Sequence, residues 1–137
     1  MEKTNSATIV CNHPQYQGKA DFHLNLYGEN MMNVYPQVSL FHECFKNVNA
    51  RLIDFIEIAT FIYVADQCVV RCQNRVDPHG ILWNRRMNMI IAVQDLDFWS
   101  RGDVKECLEK LLRFLSDDCY CFSFTKMTED HPEQQYL

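Results

Sequence analysis

The sequence predicts an α+β domain in which four strands form a mostly antiparallel sheet and two helices pack on it. The chain has 137 residues, of which 47% are hydrophobic and 23% charged, as expected for one globular domain with its own core. Four segments have strand patterns and two have helical spacing, in the order strand, strand, helix, strand, helix, strand. A single antiparallel sheet with helices on one face is the simplest arrangement of that order.

The first two predicted strands cover residues 7–12 and 21–27. The first is rich in β-branched residues, and the second alternates so that Phe22, Leu24 and Leu26 share one face. His13-Pro14 and Gly18 predict a turn between the two strands.

The first predicted helix begins after Asn47 or Asn49, either of which is a suitable N-cap, and runs to about Arg71. It is apolar around most of its circumference, which predicts a central helix that is buried on several sides. Its predicted apolar stripe is Leu52, Phe55, Ile56, Ala59, Ile62 and Tyr63.

Asp66 lies on the same side of this helix as Leu52, because fourteen residues are close to four helical turns. A carboxylate on an apolar stripe needs a cationic or hydrogen-bonding partner. Arg85 and Arg86 are the candidates, so we predict a buried ion pair that ties the helix to the sheet. A functional carboxylate in a cleft and simple exposure remain the alternatives.

The third predicted strand covers residues 87–93 and has apolar residues on both faces. Asp95 and Asp97 follow it, and their spacing raises the alternative of a metal site, although magnesium usually needs more ligands. We predict instead a turn at the end of the strand, in which Phe98 and Trp99 are anchored in the core.

The second predicted helix follows Asp103, which forms a capping-box pattern with Glu106. Its predicted buried stripe is Val104, Cys107, Leu108, Leu111 and Leu115. The last strand is predicted at 119–125. The domain is expected to cover residues 1–126, with residues 127–137 as a polar tail or linker toward a missing C-terminal domain.

Composition and spacing exclude several functions for this chain. Only four glycines occur, and none lies close enough to another to form a phosphate-binding loop. The net charge of -5 argues against direct nucleic-acid binding. Seven cysteines without C-x-x-C spacing favour reduced thiols over zinc, and a polar N-terminus favours a cytoplasmic protein. No apolar run reaches the length of a membrane span, which is about 18 residues.

Five segments together resemble a family pattern. They are 51–67 (RLIDFIEIATFIYVADQ), Trp83 to Arg86 (WNRR), 93–99 (VQDLDFW), 112–118 (LRFLSDD) and 132–137 (PEQQYL). The pattern resembles the N-terminal region of QueC-like proteins, which are relatives of 7-cyano-7-deazaguanine synthase found in bacterial antiphage systems of the Qat and CBASS types. The resemblance covers about residues 7–125, and the last segment is similar to the stretch that leads into their catalytic domain.

The resemblance implies an accessory domain without catalytic residues or a cofactor of its own. In that family, ATP and zinc belong to a following catalytic domain, whose phosphate loop has no counterpart here. Asp66, Trp83, Arg85 and Arg86 are the candidate interaction residues, and the expected partner is a protein or the chain's own catalytic domain. A homodimer, a small-molecule binder or enzyme using Asp66, Arg85 and Arg86, and a standalone regulatory adaptor stay open.

Overall fold

Four strands form one sheet in which every neighbouring pair is parallel. The computed structural model of the chain describes residues 6–26, 33, 49–70 and 84–127. Within these ranges the strands are β1 (Ser6–Cys11), β2 (Phe22–Leu24), β3 (Arg86–Val93) and β4 (Cys119–Lys126), and the helices are α1 (Ala50–Cys68), α2 (Leu96–Trp99) and α3 (Gly102–Ser116). The strand order across the sheet is β2-β1-β3-β4.

The prediction of a mostly antiparallel sheet is therefore wrong, although the α+β class and the order of the predicted elements agree with the structure. Two neighbouring strands are parallel only if the connection between them crosses back to the end of the sheet at which the first strand began. Residues 12–21 provide this return between β1 and β2, α1 lies between β2 and β3, and α2 and α3 lie between β3 and β4. The alternation of strands with helices was the available signal for such crossovers.

The core lies between the sheet and one layer of helices. The register aligns Ile9 with Met89 and Met89 with Phe122, so these side chains share one face of the sheet. Ile58, Phe61 and Ala65 of α1 belong to the same buried cluster. Val104, Leu108 and Leu112 of α3 pack against it from the same side. Both long helices therefore cover one face, here called the helix-covered face, and the other is called the opposite face.

The buried side of α1 differs from the predicted stripe. Its buried residues are Ile53, Asp54, Glu57, Ile58, Phe61 and Ala65. Asp54 and Glu57 thus face inward on a helix whose inward side was predicted to be apolar. Leu52 and Tyr63 of the predicted stripe are instead exposed by 51% and 68%. The helix begins as predicted at Asn49, whose side chain accepts a hydrogen bond from the Leu52 N–H at 3.0 Å.

Helix α3 also presents a different side to the core than predicted. None of its residues is fully buried, and Cys107, Leu111 and Leu115 of the predicted buried stripe are exposed. Its N-cap is Arg101, which makes no capping hydrogen bond, so the prediction that Asp103 caps the helix is wrong. Asp103 lies in the first turn and binds the Arg101 guanidinium at 2.6 Å and 3.1 Å.

Several predictions concern residues outside the described ranges. They include the candidate Trp83, the end of the first helix at Arg71, and the tail beyond Met127. Among the helices that are described, none is long and apolar enough to cross a membrane.

Candidate functional site

Arg85 is the most densely hydrogen-bonded side chain among the described residues. It precedes β3 and is only 1% exposed. Its Nη2 binds Asp66 Oδ1 at 2.5 Å and Asp118 Oδ2 at 2.7 Å. Its Nε donates to Asp118 Oδ1 at 3.3 Å, and its Nη1 donates to the carbonyl oxygens of Asp66 at 3.2 Å and Val69 at 2.5 Å.

These five contacts use all five N–H donors of the guanidinium. Burial opposes the charge of Arg85, but the hydrogen bonds to Asp118 and Asp66 outweigh it and raise the pKa of the guanidinium above its ordinary value. No donor is left for a ligand. The Arg85 cluster therefore acts as an internal connector that joins the end of α1 to the starts of β3 and β4.

The structure brings Asp66 and Arg85 together as predicted, but only the arginine of this pair is buried. The Asp66 side chain is 43% exposed, whereas that of Asp118 is fully buried. Asp118 was not among the candidate residues; it lies directly before β4. Arg86 is exposed and lies at the start of β3, in register with Cys119, so it is not part of the cluster.

Asp54 organises the opposite end of the sheet, where the strands have their carboxyl ends. Its buried carboxylate accepts hydrogen bonds from the backbone N–H of Gln94 at 2.9 Å and 3.1 Å and from that of Asp95 at 2.8 Å. These bonds attach the first turns of α1 to the turn that follows β3. These two backbone donors compensate the buried carboxylate, which explains why an acid faces inward here.

Asp95 and Asp97 do not converge on a common point. Asp95 is the N-cap of α2 and accepts from the Phe98 N–H at 3.4 Å, and its carboxylate binds Arg51 Nε at 3.1 Å. Asp97 is exposed. Within the described part of the chain, no group of three or more His, Cys, Asp and Glu side chains could hold a metal ion.

Phe98 and Trp99 lie against the core, Trp99 at 3% exposure and Phe98 partly buried. The Trp99 ring stacks on Phe55 of α1 at 6.3 Å between centroids and contacts Phe124 of β4 at 5.9 Å. The Arg51 guanidinium lies 3.9 Å from the centroid of the Phe98 ring. These aromatic contacts connect α1, α2 and β4 and make both residues structural.

The outer surface of the helical layer is apolar. The large hydrophobic side chains that are exposed among the described residues all belong to α1, α3 or the residue pair after α1; they are Leu52, Phe55, Tyr63, Val70, Leu111, Phe114 and Leu115. Phe114 is the most exposed of them at 85%. On α3, Cys107, Leu111, Phe114 and Leu115 form one stripe by their spacing. We call these seven hydrophobic residues the outer helical surface.

Charged residues flank the part of this surface that belongs to α3. Phe114 lines an open groove together with Glu106, Glu109, Lys110, Arg113 and Asp117. Glu106 and Lys110 form an ion pair at 2.9 Å. Their hydrogen bond lowers the pKa of Glu106 and raises that of Lys110 relative to their ordinary values. The arrangement, an apolar centre with a charged rim, is typical of protein interfaces.

Comparison of the chain with known protein families, with curated proteins and with solved structures finds no match.

Proposed function

We propose that the chain is a non-catalytic protein-interaction domain that docks a partner protein through the outer helical surface. The observation that carries this proposal is the concentration of exposed large apolar side chains on the two long helices and on Val70, just beyond α1. Exposed apolar surface of this kind costs solubility and marks sites of association in soluble proteins. Its placement on two helices of one layer suits a partner that covers α1 and α3 together.

The geometry of the arginine cluster supports an interaction role over the alternative of a small-molecule site at Asp66, Arg85 and Arg86. All five Arg85 donors are used inside the fold, and the side chain is 1% exposed. Arg86 lies apart from the cluster. The Arg85 cluster therefore stabilises the domain. The helical layer is the surface that we propose for contact with a partner.

The partner that we propose is the ATP-dependent catalytic domain of a QueC-like enzyme of antiphage defence, present either in the same protein or as a separate chain. The support for this choice is the resemblance of the segments 51–67, 83–86, 93–99, 112–118 and 132–137. Three of these segments include parts of α1, α2 and α3, which are the elements of the helical layer. The accessory domain would position the catalytic domain or its protein substrate, and the catalytic domain would supply ATP chemistry.

Binding of the chain to a QueC-like catalytic domain, measured by calorimetry, tests this proposal. We expect the unmodified chain to bind, and we expect Phe114→Asp and Tyr63→Asp each to weaken binding by at least about ten-fold, or about 1.4 kcal/mol. Both side chains are exposed, at 85% and 68%, so neither change should unfold the domain.

Ser123→Asp is the matched control, since Ser123 is exposed on β4 and lies on the opposite face of the sheet. It introduces the same charge and should leave binding unchanged. Absence of binding by the unmodified chain would refute the proposed partner. Equal losses in all three variants would refute the outer helical surface as the docking site.

A further inference from the structure

Two cysteines lie on the same face of β4, with one residue between them. Cys119 and Cys121 alternate with Tyr120 and Phe122, which belong to the core on the helix-covered face. Because successive side chains of a strand point to opposite faces of the sheet, both cysteines lie on the opposite face. Both thiols are free, Cys121 is exposed and Cys119 is half-buried, so the pair is open to solvent.

The two thiols interact with each other. Burial is the largest cause that raises the pKa of the Cys121 thiol, and the charge of Cys119 and a hydrogen bond between the two thiols raise it further. The charge of Glu109 acts in the same direction, whereas that of Arg86 lowers the pKa. Arg86 is exposed at the start of β3, in register with Cys119. The structure thus combines an accessible pair of sulfurs with a nearby guanidinium.

The spacing along the strand decides what this pair of thiols can form. Residues two apart on a strand are about 6.6 Å apart, at a rise of about 3.3 Å per residue, and their Cβ atoms are separated by a similar distance. A disulfide requires Cβ atoms about 3.5–4.5 Å apart, so the strand would have to distort to form one. A metal ion between two sulfurs, with bonds of about 2.3 Å each, separates the sulfurs by about 4.6 Å. Rotation of the two side chains reaches that separation on the undistorted strand.

The number and type of ligands select the class of metal ion. Structural zinc in proteins is held by four ligands, and no group of three or more His, Cys, Asp and Glu side chains in the described ranges could hold a metal ion. Two thiolates without further ligands suit a soft ion with a low coordination number. Cu(I) is such an ion, because it prefers sulfur ligands and forms linear complexes with two thiolates.

We propose that Cys119 and Cys121 form a two-coordinate binding site for Cu(I). Binding replaces the thiol protons by the metal ion, so one Cu(I) and two thiols give a dithiolate complex with one negative charge and two released protons. Arg86 lies on the same face as Cys119, since residues in register share a face, and its charge compensates that of the complex. The site is separate from the outer helical surface and does not depend on the proposed partner.

Competition for Cu(I) with the chromophoric chelator bicinchoninic acid, under anaerobic reducing conditions, tests the site in the full chain. We expect the unmodified chain to withdraw Cu(I) from the chelator. Cys119→Ser and Cys121→Ser should each lose one bound equivalent of Cu(I), or hold it at least about ten-fold more weakly. Cys107→Ser is the matched control, since Cys107 is also exposed but lies on α3, and it should bind Cu(I) as the unmodified chain does.

Arg86→Glu keeps both sulfurs and reverses the charge beside them. Arg86 is exposed, so the change should leave the fold intact, and we expect it to weaken Cu(I) binding several-fold. The proposal is overturned if the unmodified chain withdraws no Cu(I) from the chelator, or if Cys119→Ser and Cys121→Ser bind Cu(I) as the unmodified chain does. A loss at Cys107→Ser as large as at the pair would overturn it as well.

Discussion

At the scale of single residues, the two acids that bind Arg85 differ in burial, and this difference decides how much each contributes to the stability of the domain. Arg85 and Asp118 are buried, whereas the Asp66 side chain is 43% exposed. Removing one partner of a buried ion pair lowers the free energy of unfolding strongly, because it leaves a buried charge uncompensated. An exposed partner contributes little, since solvent screens it. Asp118, not Asp66, is therefore the acid on which Arg85 depends.

Matched substitutions of the two acids test this asymmetry. We expect Asp118→Asn to lower the free energy of unfolding by about 3–5 kcal/mol. Asp66→Asn should lower it by at most about 1 kcal/mol, because the exposed carboxylate is screened and the Asp66 carbonyl still accepts from Arg85. Urea denaturation of both variants measures the difference. Equal losses would show that burial does not distinguish the two acids.

Sequence reasoning could find one half of this cluster. Helical spacing placed Asp66 near the end of α1 and named Arg85 as a candidate partner. Asp118 could not be placed, since its contact with Arg85 depends on β3 and β4 starting side by side at the same edge. The starts of β3 and β4 are neighbours only if these two strands are parallel, and the predicted sheet was mostly antiparallel.

At the scale of elements, α1 and α3 show why apolar spacing alone misassigned the inward sides. Both helices carry apolar residues on their outer sides, so hydrophobic periodicity does not identify the core side. On α1, Asp54 faces inward because its carboxylate accepts hydrogen bonds from the backbone N–H groups of Gln94 and Asp95. Such a tertiary hydrogen bond leaves no signal in local hydrophobicity.

Leucine substitutions in α3 test its observed orientation. Leu108 is partly buried against the core, whereas Leu111 is 50% exposed. We expect Leu108→Ala to lower the free energy of unfolding by about 2 kcal/mol. Leu111→Ala should change it by about 0.5 kcal/mol or less. Thermal or urea unfolding gives both values. A larger loss at Leu111 would favour the predicted stripe over the observed one.

Helix capping provides a second test at this scale. Asn49 accepts a hydrogen bond from the Leu52 N–H at 3.0 Å and caps α1. Asn49→Ala should lower the free energy of unfolding by about 1 kcal/mol. Asp103 is not the N-cap of α3, and its carboxylate forms an exposed ion pair with the Arg101 side chain. Asp103→Ala should therefore leave stability close to that of the unmodified chain, and a loss as large as that at Asn49 would contradict the assignment.

At the scale of the whole molecule, the sheet separates three regions with different roles. The Arg85 cluster lies at the edge where the strands begin, Asp54 binds the turn at the edge where they end, and the outer helical surface covers one side. The four strands, the two long helices and their order were predictable from local patterns, whereas the short helix α2 was predicted as a turn. The parallel pairing was not, because it depends on long connections and on which edge each strand enters.

The native cysteines test whether a partner covers the outer helical surface. Cys107 is exposed on α3 beside Leu111 and Phe114, and Cys121 is exposed on the opposite face. Burial raises the pKa of the Cys121 thiol, so each labelling rate is compared with its own rate in the free chain.

The most direct measurement is therefore the rate of maleimide labelling at each cysteine, with and without a bound QueC-like catalytic domain. We expect the partner to slow labelling of Cys107 by about ten-fold or more, equivalent to about 1.4 kcal/mol, and to leave that of Cys121 unchanged. Protection of Cys121 with Cys107 still fully reactive would contradict it.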